Sequence, residues 1–285
     1  MNKIKKHFVS RPLYNIPNDI CEKIIWHPDF DPSSLTLYDL LYNRFLFVID
    51  LAQGIEAGVA GKEDADYNII HIYRIELMSP RKIQENRDWQ HPIDIRNVIQ
   101  YREIGVYADN FKDEEMCAEA AKYLAFNVFK TGYSDGVNNV DNVRILYEVN
   151  FNGKNWYNKF KAHPGFYDQI IIKTQNGTDK NGNPVLMNGF RTKGGSKGKK
   201  YYCDLGEKML RQRQIIVSQY DSNINLSTIY QLENFGKDKK GNYNGAACHD
   251  DLSVTVFFVS IAGEQEYFRI WVEEWLENMI LTPQV

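Results

Sequence analysis

The hydrophobic pattern of this chain divides into short unbroken apolar runs and longer stretches with helical spacing. Phe45-Leu-Phe-Val-Ile49 is continuous and ends on Asp50, as a short buried strand would. Tyr67 to Met78 and Asn97 to Tyr107 are rich in β-branched and aromatic residues, so three strands in succession predict an antiparallel meander. Between Asp113 and Phe129 the period changes. Acids fill the first turn while Met116, Ala120, Tyr123 and Leu124 recur at helical spacing, which predicts an amphipathic helix. Val143 to Val149 is the next buried strand, with Glu148 at its end, and Gly153 to Phe160 is a helix that His163-Pro164-Gly165 stops. Gln169 to Lys173 reads as a fifth short strand. The order βββαβαβ predicts an α/β fold, a mixed sheet of three antiparallel strands and then helix-connected strands, flanked by helices.

From Thr174 to Lys200 the composition turns to Gly, Asn and Lys, and the turn signals Asn176-Gly177 and Asn181-Gly182 predict a β-hairpin followed by a basic loop. Helices are expected over Tyr201 to Gln212 and Leu226 to Phe235, with a short edge strand over Gln214 to Ser218. A polar turn from Lys237 to Gly245 then delivers Cys248-His-Asp-Asp251 to the apolar stretch Leu252 to Ile261. The tail carries Phe268, Trp271, Val272, Trp275, Leu276, Met279 and Ile280 at helical spacing, an amphipathic helix read as packed on its own domain. Residues 1–40, with Pro12, Pro17, Pro28 and Pro32, have the texture of a linker or packed extension. The expected organisation is an extension over 1–40, a core domain over 41–262 containing the hairpin and basic loop of 174–200, and a C-terminal helix over 263–285.

With 285 residues, of which 43% are hydrophobic and 25% charged, the chain can bury a sizeable core as a globular protein. A net charge of -3 excludes a uniformly basic nucleic-acid binder but not a local basic patch. Such a patch lies in Arg191-Thr-Lys193-Gly-Gly-Ser-Lys197-Gly-Lys199-Lys200, where the glycines would let backbone approach phosphates. Four cysteines without CxxC spacing argue for reduced thiols and against a structural zinc. Neither an apolar segment behind the basic N-terminus nor an 18-residue apolar run occurs, so secretion by a signal peptide and membrane spanning are not expected. No GxxxxGK[ST] motif is present, and ATP hydrolysis by this chain alone is not expected.

Acids at the tips of buried strands are costly unless a cation compensates them. Asp50, Glu148 and the pair Asp250-Asp251 stand in such positions, far apart in sequence, and could form one site only if the fold gathers their elements at one edge. Asp250 or Asp251 could each be the nearer ligand, or one could serve simply as a helix cap. His249 reads as a polar neighbour. An all-carboxylate set suits Mg²⁺ or Mn²⁺, which take oxygen donors, and a pair of such ions implies phosphodiester chemistry with Asp50 as the bridging group.

Three ordered segments carry a resemblance: Phe47-Val-Ile-Asp50, Ile145-Leu-Tyr-Glu148-Val-Asn and Cys248-His-Asp250-Asp251-Leu-Ser-Val. Together they resemble the nuclease domain of the large terminase subunit of tailed bacteriophages, over roughly residues 40–262. The resemblance implies an RNase H-like fold and a two-metal endonuclease that cuts concatemeric viral DNA during genome packaging in the host cytoplasm, with Asp50, Glu148, Asp250 and Asp251 as the catalytic, metal-binding acids. It implies double-stranded DNA as the substrate, gripped by Arg191, Lys193, Lys197, Lys199 and Lys200. Partners would be an ATPase motor domain, the portal and the small terminase subunit, and the tail helix could then touch the portal. Other enzymes of the same fold, a junction resolvase or a ribonuclease, and a non-catalytic DNA-binding or docking module are the alternatives.

Overall fold

The computed structural model describes residues 18–51, 67–86, 94–109, 114–150, 152–192, 198–217, 227–237, 239, 243–245 and 251–281. The chain enters through α1 (Asn18–Glu22), β1 (Ile24–Trp26) and α2 (Leu37–Tyr42), the last closed at its start by a capping box between Thr36 and Asp39. The meander follows as β2 (Arg44–Asp50), β3 (Asn68–Leu77) and β4 (Ile99–Asp109), with α3 (Pro80–Asn86) between the last two. Next come α4 (Glu114–Lys122), widened into a π turn over Tyr123–Val128, then β5 (Val143–Tyr147) and α5 (Gly153–Lys161). The hairpin β6 (Lys173–Thr178) and β7 (Pro184–Asn188) leads to α6 (Lys199–Arg211), β8 (Ile215–Ile216) and α7 (Thr228–Asn234). A small ribbon of β9 (Phe235–Lys237) and β10 (Tyr243–Gly245) precedes α8 (Asp251–Glu264) and α9 (Glu266–Leu281). Among the described residues no helix is long and apolar enough to cross a membrane.

The main sheet has the order β1-β4-β3-β2-β5, with β8 also paired to β4. β2 runs antiparallel to β3 and parallel to β5, so the sheet is mixed and the fold is α/β with helices on both faces. The alternation of side chains along β2 divides the core. Phe45, Phe47 and Ile49 point with Val143, Ile145 and Tyr147 into a layer covered by α4 and α5, where Leu124, Trp156 and Phe160 are buried. Leu46, Val48 and Leu146 point the other way, under Val256, Val259, Trp271 and Trp275 of α8 and α9. Strand β2 is therefore apolar at every position from Phe45 to Ile49 because both of its faces are covered.

Two sequence expectations change. The proline-rich start is a packed extension whose described part contributes to the sheet: Ile24 to Trp26 pairs antiparallel with Gly105 to Tyr107. The fifth strand expected over 169–173 is absent. Asp168–Ile170 forms a 3-10 turn, and only Ile171 bridges to Ile145 before the chain enters the hairpin. The ladder beside β5 is completed instead by the chain returning from the hairpin: Phe190 N–H donates to the Tyr147 carbonyl (3.0 Å) and Phe190 bridges to Glu148. The tail helix packs on its own domain, with Trp271 and Trp275 buried and their indole N–H groups donating to the carbonyls of Asp141 (3.1 Å) and Tyr42 (2.6 Å).

A polar cluster is sealed beneath α8. His71 of β3 and Glu103 of β4 are fully buried and hydrogen-bonded through Nε2 and Oε1 (2.6 Å), while His71 Nδ1 meets Thr255 Oγ1 of α8 (2.9 Å). Thr228 Oγ1 of α7 donates to Glu103 Oε1 (2.6 Å). The register explains how β4 reaches this face twice. Ile72 pairs with Gly105 and Tyr73 with Glu103, leaving Ile104 as an extra residue, so Glu103 and Val106 both face α8. Removing one member leaves buried polar atoms without partners. Glu103→Ala is expected to lower the unfolding free energy by roughly 3 kcal/mol, read as a shift of the urea midpoint at unchanged slope.

Candidate active site

The parallel register of β2 and β5 creates the site. Ile49 lies opposite Tyr147, and Glu148 N–H donates to the Ile49 carbonyl (3.1 Å), so the next residues, Asp50 and Glu148, leave neighbouring strands side by side. By alternation they follow Leu46, Val48 and Leu146, on the α8 side of the sheet. The third acid arrives from that helix. Asp251 occupies the first turn of α8, where the helix dipole favours a negative charge, and its Oδ2 accepts from the Tyr67 backbone N–H (3.1 Å) one residue before β3. Because Asp50 itself pairs with Ile69 of β3, this bond draws the start of α8 toward the end of β2. Carboxyl ends of parallel strands are where open α/β sheets place ligand-contacting groups.

The electrostatics of Asp50 report this convergence. The residue keeps some exposed surface, but its carboxyl lies deep among its neighbours, and burial pushes its pKa well above the ordinary carboxylate range. The charges of Glu148 and then Asp251 push it further in the same direction, as does a hydrogen bond between the Asp50 and Glu148 carboxyls. The Lys199 charge, at the first position of α6, opposes the rise. A hydrogen bond between two carboxyls requires a proton. A divalent cation is the other way to neutralise the same repulsion, and a donor set of three carboxylates fits a hard, oxygen-loving ion such as Mg²⁺ or Mn²⁺. Among the described residues no group of three His, Cys, Asp or Glu side chains is arranged closely enough to form a ready-made cage.

Of the acids singled out in sequence, Asp50, Glu148 and Asp251 are thus brought together, while Asp250 and His249 lie outside the described residues. Of the basic set, Arg191 and Lys200 are exposed and Lys199 is half-buried, whereas Lys193 and Lys197 also fall outside. The described flanks of this basic stretch both reach the acids. Lys199 acts on Asp50, and Thr192 Oγ1 donates to Glu148 Oε1.

Sequence reasoning missed the immediate partners of Glu148. Asn150 Nδ2 donates to the same Oε1 (2.6 Å) and also to Thr192 Oγ1 (2.8 Å), closing a triangle. Asn150, two residues after a strand-end acid, could have been suspected. Thr192, 44 residues away, carried no local signal. Two glycines fix the backbone around Glu148. Gly189 has φ +73°, and a Cβ there would stand 2.4 Å from the Tyr147 carbonyl oxygen, while a Cβ on Gly153 would stand 2.3 Å from that of Glu148.

Compared with models of known protein families the chain matches none, and no curated protein is similar to it.

A raised Asp50 pKa means that folding takes up a proton at this position. The associated stability is complete below the unfolded value near 4 and is lost as pH rises through the folded value. In EDTA, Asp50→Asn is therefore expected to melt above wild type at neutral pH, with the gap widening as pH increases from 4. A variant that melts below wild type at neutral pH would show that the carboxyls do not repel.

Proposed function

We propose that this chain is a metal-dependent DNA endonuclease with an RNase H-like arrangement of its mixed sheet, similar to the nuclease domain of the phage terminase large subunit. The observation that carries the reading is the meeting of Asp50, Glu148 and Asp251, from three distant segments, at the carboxyl ends of the parallel strands β2 and β5. The strand order supports it: an antiparallel meander followed by a parallel strand beside its first member. The cations Arg191, Lys199 and Lys200, close in sequence to the partners of these acids, support a polyanionic substrate.

In this reading Asp50, Glu148 and Asp251 would hold the divalent cations, with Asp50, on which both other acids act, as the central carboxylate. Bound there, a pair of divalent cations would supply the Lewis acidity that phosphodiester hydrolysis needs at both the attacking and leaving oxygens. The protein's own contribution is positional. Strand pairing fixes Asp50 relative to Glu148, the Tyr67 N–H holds Asp251, and Lys199 and the exposed Arg191 and Lys200 attract the DNA backbone. Cutting of concatemeric viral DNA, supplied by an ATPase motor and a portal, is the biological setting that follows from the resemblance.

The test is cleavage of supercoiled plasmid in Mg²⁺, Mn²⁺ or EDTA by wild type, Asp50→Ala, Glu148→Ala and Asp251→Asn. Nicking and linearisation are expected with either metal and not in EDTA. Each variant should lose more than the roughly 10–100-fold that follows removal of an outer partner of a metal ligand. Strong preference for four-way junctions or RNA/DNA hybrids would replace the terminase-like reading with a resolvase or ribonuclease. Salt-sensitive DNA binding without cutting would replace it with a binding module.

A further inference from the structure

The Glu148 carboxylate is gripped by two side chains that belong neither to the acids nor to the basic set already described. Both grips fall on one oxygen: Oε1 accepts from Asn150 Nδ2 and from Thr192 Oγ1, leaving Oε2 outside the triangle. The two donors come from opposite sides of the strand end. Asn150 belongs to the turn between β5 and α5, where its carbonyl accepts from Gly153 N–H (3.2 Å). Thr192 is carried in by the chain returning from the β6-β7 hairpin, which is locked in register by Phe190 N–H to the Tyr147 carbonyl (3.0 Å) and Val149 N–H to the Phe190 carbonyl (2.8 Å). At Gly189 the close approach to Tyr147 admits no side chain, so the return path, and with it Thr192, has little freedom to move.

We propose that Asn150 and Thr192 are positioning residues that set the rotation of the Glu148 carboxylate and thereby the affinity of the site for its divalent cation. The inference rests on the metal-dependent reading given above. Two donors on one carboxylate oxygen fix the carboxyl plane and leave the remaining oxygen, Oε2, as the one a divalent cation would engage. Without them the side chain must be ordered by the ion itself, and that ordering entropy weakens binding. Neither residue touches the reacting phosphate in this scheme. The threonine hydroxyl is the essential part, and its methyl group is not.

The test is Mn²⁺ binding by isothermal titration calorimetry to the full chain, alongside plasmid cleavage as a function of Mn²⁺ concentration. Thr192→Val removes the hydroxyl at constant shape and should weaken Mn²⁺ binding by roughly 10–100-fold, with an unchanged melting temperature in EDTA. The cleavage rate at saturating Mn²⁺ should fall far less than the rate at low Mn²⁺. Thr192→Ser should restore binding to within a few-fold of wild type, and Asn150→Ala, which removes the other donor, should repeat the loss independently. Wild-type affinity in both Thr192→Val and Asn150→Ala would overturn the inference while leaving the nuclease reading intact. Absence of Mn²⁺ binding by the wild-type chain would overturn the metal site and the inference with it.

Discussion

The pairing of β2 with β5 is the constraint on which the rest of this structure depends. It is parallel, so both strands end at the same edge, and its register sets Ile49 against Tyr147, so the two following carboxylates emerge together. A one-residue slip would send one of them to the opposite face, into the layer of Trp156 and Phe160. The slip is prevented from both sides of the sheet. Phe45, Phe47 and Ile49 fill one hydrophobic layer while Leu46 and Val48 fill the other, so neither set can exchange faces without losing its packing. The apolar order of a single strand thus fixes the position of a cluster of charges.

That cluster is held under tension by its surroundings. Burial and two neighbouring carboxylates raise the Asp50 pKa, and the compensations come from several elements: the Tyr67 N–H on Asp251, the Lys199 charge on Asp50, and Asn150 and Thr192 on Glu148. The sealed His71-Glu103 pair differs from it. There the hydrogen bonds among His71, Glu103, Thr228 and Thr255 link β3, β4, α7 and α8 inside the protein and fix how those elements seat on one another.

Much of this was legible in the sequence because the signals are local. Asp50 and Glu148 follow unbroken apolar runs, and an acid in that place marks a strand end whatever the fold. The doublet Asp250-Asp251 precedes the largely apolar stretch from Leu252 to Ile261, and Asp251 opens α8. The meander and the amphipathic tail follow from periodicity, and the burial of Trp271 and Trp275 follows from their helical spacing. What could not be read were pairings over long distance. The described part of the proline-rich start joins β4 through Ile24 to Trp26, a run too short to announce a strand. The ladder expected over 169–173 is shared with Phe190, because a hairpin intervenes and its return takes over the pairing. Thr192 lacked a local signal for the same reason. Glu103 lies in a run that looks like ordinary strand alternation, and only the extra residue at Ile104 turns it inward beside His71.

The helices α8 and α9 cover much of one face of the sheet, yet they are the last described elements in the chain. During synthesis β2, β3, β4 and β5 all emerge with that face bare, and the layer of Leu46, Val48, Tyr73 and Leu146 is closed only when residues 251–281 follow. The same helix that closes it carries Asp251. A chain interrupted before that point lacks both the cover and the third carboxylate, so a partly made molecule cannot assemble the acidic site. Closure of that layer and supply of the third carboxylate thus depend on the same segment, residues 251–281.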